Sequence, residues 1–584
     1  MVFMKKVLIL AAALLGLLTG CQDKPDGTAL LRLQTPYGVV LHSSTETTLT
    51  FQWSLISEAT SYSWRLTEVG NGSEKTGSTP NRNVRIDRLK KATEYSFCVR
   101  AESKDAVSGW SQEVTATTQG SVVPPTPDIR TVCIDEPLLL TFESAPVLGS
   151  SGCVKLFRAD GVEVDCIDLA DMAGVTVRGD GQMVPKEQMN AQTKFSTFMD
   201  ALPSGKRWRP VHYTPLRIDG KSLEIRFHSG VMDFGTEYYV TMDKDFVSGF
   251  PGYFRGDMPF VTRPKPEGSV LSVAPYGDGD FWTVQAALSY AGTISGPVTI
   301  KVAPGTYREM LYLRDKADLT IEGTSREKCI IEYANAEALS TGSGGAAGSR
   351  PSAGSAVGAM GGRGLMLVEN CNNLQLKGLT IRNSYGEQGQ AETIYFNSGS
   401  NAHRLIIEDC ALYSLQDTFL CKGEVYVHNS LIAGNVDFIW GYPKVCLFED
   451  CEIRCEYHKN GGYVIQARVP SAGDKGFVFL NCRITAGEGA KDGSVYLARS
   501  AGQADCFDNV TYVGCTMAPV IAPAGWYSSP APNPSAPTAS SGWKEYGSVT
   551  PAGASATGSR NKSGLILSAD QAAAYSSRAE VLGW

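Results

Sequence analysis

The chain has 584 residues, too many for one hydrophobic core and enough for about three domains. Charged residues make up 19% and hydrophobic ones 43%, an ordinary globular balance, and the net charge of −7 comes without a long acidic or basic run. That distribution gives a nucleic-acid partner no electrostatic support.

Residues 1–20 read as a targeting segment and are set aside from fold reasoning. Lys5 and Lys6 precede the apolar run "VLILAAALLGLL", which is too short to span a bilayer comfortably. The run leads into "LTGC", which resembles the lipobox of bacterial lipoproteins. The resemblance implies cleavage before Cys21 and lipidation of that cysteine, with ordinary secretion as the alternative. Residues 21–28 are then a polar tether, and the expected location is the outer membrane, reached through the lipid on Cys21.

Residues 29–120 contain short alternating strands, among them "TLTFQWS", "SYSWRLTE" and "EYSFCVRAES", the pattern of a β-sandwich. Trp53, Leu89, Thr93, Tyr95, Val99 and Ala101 resemble a fibronectin type III domain around its tyrosine corner. The Pro-rich "SVVPPTPD" (121–128) is a linker within a second unit, 121–267, that looks weakly like a bacterial Ig-like sandwich. His212 and His228 have no cysteine or carboxylate companions at metal-ligand spacing, so satisfied histidines are expected and no chemistry is assigned here. Cys133, Cys153 and Cys166 are bridge candidates whose pairing the sequence leaves open.

From 268 the texture changes. "FWTVQAALSYAG" spaces Phe281, Val284, Ala287, Leu288 and Ala291 as one face of a short helix, suited to capping a stack of strands. Five later segments, "LMLVENCNNL", "RLIIEDCAL", "VCLFEDCEI", "GFVFLNCRI" and "VTYVGCTM", are apolar strands running into Cys371, Cys410, Cys451, Cys482 and Cys515. A sixth, "VYVHNSLI", has Ser430 in the cysteine's place. The steps from Cys410 to Ser430 to Cys451, 20 and 21 residues, suit one turn of a parallel β-helix. Stacked about 4.8 Å apart, these cysteines are expected to form an internal ladder of small apolar groups. The Gly/Ser/Ala tract 340–364 is a loop inserted between turns.

Asp417 in "LQDTFL" and Asp437 in "VDFIWG" are 20 residues apart, which places them side by side on adjacent turns. Two carboxylates that close resist double ionisation, so one keeps its proton and the pair offers a proton donor and a nucleophile. Gln416 and Gln390 can present amide N–H groups to a developing oxyanion, and Arg499 can grip Asp437 through two bonds. Singly, each has a plain structural role: a turn aspartate, a stacked glutamine, a solvated arginine. Jointly, they map to related positions of one repeat.

"PGTYRE", "QAETIYF", "LQDTFL", "GNVDFIWG" and "VYLARS", across roughly 270–584, resemble the pectin methylesterase family. The resemblance implies an all-β protein, with a right-handed parallel β-helix at 268–584 behind the two sandwiches. It implies a carboxylic ester hydrolase acting on pectin or a related methyl-esterified polyuronide, without metal or organic cofactor. Asp437 then corresponds to the nucleophile and Asp417 to the acid and later base. Gln390 and Gln416 match the anion-stabilising amides, Arg499 the arginine holding the nucleophile, and Ser384 and Trp440 substrate contacts. Where that family has Arg-Pro-Trp, this chain has Arg499-Ser500-Ala501, so a sugar-stacking aromatic is lost or supplied by Trp526 or Trp543. The alternative is a coil that binds a polysaccharide without turnover, or acts on a different ester. A calcium-dependent lyase lacks an acidic cluster around Arg499, and a serine esterase lacks Gly-x-Ser-x-Gly.

Overall fold

Alternating burial builds the first two domains. The computed structural model describes residues 33–118, 130–172, 176–177, 183–184, 199–340 and 362–584, apart from 46, 57, 105, 205–206, 276–277, 338 and 387. The expectations for the leader, Cys21, the tether, the 121–128 linker and most of the 340–364 tract lie outside the described residues. Val40–Ser44, Leu49–Gln52 and Asn83–Ile86 form one antiparallel sheet; Glu74–Thr79, Ser61–Glu68, Glu94–Glu102 and Val114–Thr117 form its partner. Phe51 and Phe97 stack between them at 4.0 Å. The Tyr95 hydroxyl accepts the Lys90 N–H at 3.0 Å, the bond that gives a tyrosine corner its name.

The second sandwich pairs a five-stranded sheet, Arg130–Val132 to Glu237–Met242 among its strands, with a three-stranded one. His228 is satisfied as expected: Nδ1 meets Asp165 at 2.8 Å and the other ring nitrogen meets the Tyr213 hydroxyl at 2.8 Å. The side chain of His212 falls outside the described set. One feature has no sequence forewarning. The hairpin Met199–Ser204 with Arg207–His212 packs Leu202 and Val211 against the third domain.

That third domain is a parallel β-helix with three strand ladders. One runs through Leu311–Arg314, Met366–Glu369, Ile394–Asn397 and Gly462–Ala467 to Val495–Arg499 and Trp526–Tyr527; a second includes Cys329–Tyr333, Thr380–Asn383 and Leu431–Gly434. The long strands Phe419–His428 and Val436–Glu449 turn a corner from the first ladder into the third, which includes Arg404–Glu408 and Gly476–Leu480. The helix Val284–Ala291 closes the entrance with Val284, Ala287, Leu288 and Ala291 buried; Phe281, expected on the same helical face, lies ahead of the N-cap Thr283 and is buried in the same core.

Cys410, Ser430, Cys451, Cys482 and Cys515 stack inside the coil as free thiols and a hydroxyl, with Cys410 N–H donating to Ser430 Oγ at 3.0 Å. The residue before each has positive φ: Asp409, Asn429, Asp450, Asn481 and Gly514 lie between 47° and 62°. Short polar side chains and glycine tolerate that conformation, which explains the recurring Asx-Cys pair at one corner. Cys371 is a correction. Met366–Glu369 belongs to the first ladder, and Leu374, beyond the cysteine, pairs with Leu405, so Cys371 sits at an earlier corner.

Candidate active site

Register places the two aspartates. Phe419 pairs with Ile439, Asp417 N–H donates to the Val436 carbonyl at 3.1 Å, and bridges join Gln390 to Gln416 and Gln416 to Val436. Gln390, Asp417 and Asp437 therefore sit on three successive turns. Asp417 and Asp437 both have left-handed backbones, φ 62° and 47°, a strain of roughly 1–2 kcal/mol each that a short polar side chain tolerates.

Arg499 Nε donates to both Asp437 oxygens, at 2.7 and 3.0 Å, and its Nη2 reaches Oδ2 as well. Gln466 Nε2 adds a bond to Oδ2 at 3.0 Å. Burial pushes the Asp437 carboxyl up, and Arg499 opposes that shift. Around Asp417, Gln390 Nε2 donates to Oδ2 at 3.0 Å and Arg363 Nη2 lies 3.4 Å from the same oxygen. Burial holds the Asp417 carboxyl well above the usual range, Glu392 raises it further, Arg363 opposes, and Asp437 adds a smaller push. Both carboxyls are pushed up, and at Asp417 burial and Glu392, rather than the partner aspartate, dominate.

Sequence reasoning missed Arg363, Glu392 and Gln466. Arg363 Nε bonds both Glu392 oxygens at 2.9 and 3.0 Å, and Nη1 reaches Gln390 Oε1 at 2.8 Å. Arg363 was hidden in the glycine-rich tract; Glu392 and Gln466 lie inside strand motifs, where a lone polar residue gives no sign of its partner. Gln416 accepts from Gln388 Nε2 at 3.0 Å, which leaves its own amide nitrogen to donate. Trp440 lies beneath two guanidinium groups, Arg468 at 4.8 Å and Arg363 at 5.8 Å from its ring, and its buried Nε1 has no hydrogen-bond partner among the described residues. Ser384 follows Thr380–Asn383 on the second ladder, its N–H on the Tyr333 carbonyl at 3.0 Å, with no bond to either aspartate.

Trp526 is corrected. Ala498 pairs with Trp526 and Arg499 with Tyr527, so alternation sends Trp526 inward, where it is 1% exposed and stacks on Trp543 at 5.5 Å. Neither tryptophan reaches Arg499. Three half-buried tyrosines stand beside it instead: Tyr463 lies 4.9 Å from the Arg499 guanidinium, and Tyr527 is 5.1 Å from Tyr463 and 5.2 Å from Tyr496. Tyr463 and Tyr496 occupy matching register positions, a coincidence visible only once the strands are paired.

A protein-family model described as Pectinesterase matches residues 270–579, and one described as Fibronectin type III domain matches 34–117. Pectinesterase 31 of Arabidopsis thaliana is 31% identical over 274 residues, covering 44% of this chain and 76% of the relative. Pectinesterase QRT1 of the same plant is 32% identical over 153 residues, 25% of this chain and 36% of its own length. A further Arabidopsis relative is 26% identical, and the matched stretch spans 64% of it. Among solved structures, pectin methylesterase PemA from Erwinia chrysanthemi is 22% identical with a TM-score of 0.44, covering 55% of this chain and 98% of that one.

Proposed function

We propose that this chain, which belongs to the pectinesterase family of carboxylic ester hydrolases, removes methyl groups from a polyuronide such as pectin, releasing methanol. The observation that carries the reading is the setting of two carboxyls on adjacent turns: Asp437 is gripped by Arg499, and Asp417 is pushed well up by burial and Glu392, which suits the first to attack and the second to give a proton. Asp437 attacks the ester carbonyl carbon while Gln390 and Gln416 donate N–H groups to the oxygen that gains charge. The carbon–methoxyl bond breaks, and the Asp417 proton goes to the departing oxygen as methanol leaves. Water then attacks the acyl–Asp437 anhydride, Asp417 accepts one of its protons, and the product departs as a uronic acid that loses the other proton to solvent, with both aspartates restored. Both contacts to Asp417 engage Oδ2, so Oδ1 carries the moving proton.

Arg363 and Arg468 lie over Trp440, Lys422 over Tyr395 and Tyr442, and Arg499 over Tyr463, a run of basic and aromatic groups suited to an acidic sugar chain. Trp440 keeps a small exposed ring edge for a sugar contact, and Tyr463, Tyr496 and Tyr527 supply the stacking face that Ala501 lacks. Ser384 takes a peripheral substrate contact. Methanol release from highly methylated pectin tests the reaction, and Asp437→Asn should lose roughly 10⁴-fold in kcat. Ordinary turnover by that variant discards the nucleophile assignment. The small side chain of Ala501 favours one competing reading, a coil that retains pectin without turnover, and wild-type binding without methanol establishes it. The lipid anchor at Cys21 belongs to the same proposal: Cys21→Ser should release the protein from membranes, and retention refutes it.

A further inference from the structure

We propose that the second sandwich completes the active site: Arg209 is a positioning residue that fixes Arg363, and Arg363 orients Gln390 and Asp417. The inference rests on the ester-hydrolase reading given above. Arg209 lies on the hairpin strand Arg207–His212 and is fully buried. Its Nη1 donates to the carbonyls of Leu311 at 2.8 Å and Leu365 at 3.1 Å, and its Nη2 to those of Gly362 at 3.0 Å and Gly364. Gly362 and Gly364 flank Arg363, so the planar fork grips the backbone on both sides of that residue.

The grip has a physical purpose. Glycine on either side gives the Arg363 backbone wide conformational freedom, and a guanidinium displaced by about 1 Å loses its directional bonds. Asn335 Nδ2 bonds the same two glycine carbonyls from within the coil, at 3.0 and 3.2 Å. Arg209 adds the clamp that comes from another domain.

Downstream, each Arg363 nitrogen has a separate task. Nε is held by Glu392, which is 1% exposed and compensates the buried cation. Nη1 binds Gln390 Oε1, and with that end of the amide anchored, Gln390 Nε2 must face Asp417. Nη2 approaches Asp417 itself. The charged groups facing Asp417 are thus Arg363 and Glu392 on one flank and Asp437, backed by Arg499, on the other, with Glu337 3.1 Å from Arg363 on the far side.

The experiment compares full-length Arg363→Met, Arg209→Met, Arg209→Lys, Glu392→Gln and the Arg209/Arg363 double variant by the pH dependence of kcat/KM for methanol release. Arg363→Met removes a cation beside the proton donor, so the alkaline limb should move to higher pH and kcat fall about tenfold or more. Glu392→Gln removes an anion and should move that limb to lower pH. Arg209→Met should shift the limb in the same sense as Arg363→Met but less, Arg209→Lys should partly rescue it, and the double variant should be no worse than Arg363→Met alone. Additive losses, or an Arg209 variant that loses activity with its limb unmoved, overturn the relay. Amide exchange across 362–368, measured without substrate, should rise about tenfold in Arg209→Met. Unchanged exchange overturns the relay whatever the enzyme hydrolyses, whereas the exchange response without any methanol from wild type overturns the esterase reading alone.

Discussion

The two sandwiches meet the coil on different terms. The first touches it through edges: Gln34 Nε2 donates to the Glu327 carbonyl at 2.8 Å, and the Tyr37 hydroxyl meets Thr306 Oγ1 at 2.7 Å. Its heavier attachment is to the second sandwich, where buried Arg82 lies 2.5 Å from Asp219 and 3.3 Å from Glu224. The second sandwich enters the coil's own construction. Asp135 accepts the N–H groups of Trp282 and Thr283 at the cap helix, Ser204 Oγ accepts from Arg314 N–H at 2.6 Å, and Leu202 and Val211 join Leu420 and Trp440 in one apolar cluster. A domain attached by a few rim bonds can be a spacer. One that shares a core with the ladder carrying Asp417 and Asp437 is a structural part of the coil domain.

Charge in the two cores is the strongest way to break that contrast. Leu202→Asp with Val211→Asp buries carboxylates against Leu420 and Trp440, at a cost of several kcal/mol, and should lift the hairpin. We expect kcat/KM for methanol release to fall about 30-fold, or roughly 2 kcal/mol. Phe51→Asp buries a charge in the first sandwich and should unfold that module, visible as protease sensitivity, while kcat/KM stays within about threefold. Equal losses from the two variants remove the distinction between spacer and scaffold.

Much of the coil and the core of the site were legible because they depend on spacing. The 20-residue interval between Asp417 and Asp437, the apolar spacing of the cap helix and the steps from Cys410 to Ser430 to Cys451 all follow from periodicity, which survives without coordinates. What was not legible depends on parity or partnership. Trp526 and Tyr527 are equally plausible as the outward aromatic until a register is fixed, and one residue decides it. Cys371 ends an apolar run like its neighbours, and only the pairing of Leu374 with Leu405 assigns it to a different corner. Arg363 sits in glycine-rich sequence that reads as linker, and Arg209 in a region with no motif, so their alliance with Asp417 is purely tertiary.

A smaller effect sharpens the docking of the second sandwich. Glu309 is buried beside Asp135 and accepts the N–H groups of Val284 and Gln285 at 2.8 and 2.7 Å, where the cap helix begins. Burial pushes its carboxyl up to about 7. A folded-state value above the ordinary carboxyl range means that the folded protein holds the proton more tightly than the unfolded chain. Its stabilising contribution is complete below about pH 4 and is lost as pH rises through 7. The melting temperature of the coil with its second sandwich should therefore drop by a few degrees between pH 5 and 8, and Glu309→Gln should flatten part of that slope. An unchanged slope in the variant denies Glu309 the role, and a matching slope in the isolated first sandwich assigns it to other groups.

The mildest probe reads burial directly. Cys153 and Cys166, on neighbouring strands of the second sandwich, and Cys506 on a coil loop are half-buried, whereas Cys410, Cys451, Cys482 and Cys515 are fully enclosed. Burial raises the thiols of both groups, Cys166 to about 12 like Cys410, so reagent access rather than thiolate fraction separates them. In native, reduced protein, Cys153, Cys166 and Cys506 should label within minutes, and the internal ladder only after global unfolding. Methanol release should be unaffected by the early labelling, because none of the three touches Asp417, Asp437 or the Arg209 clamp. Early labelling of Cys451 or Cys482 would mean that the coil opens locally, and the rigid frame that keeps Asp417 and Asp437 in register would then lack its central support.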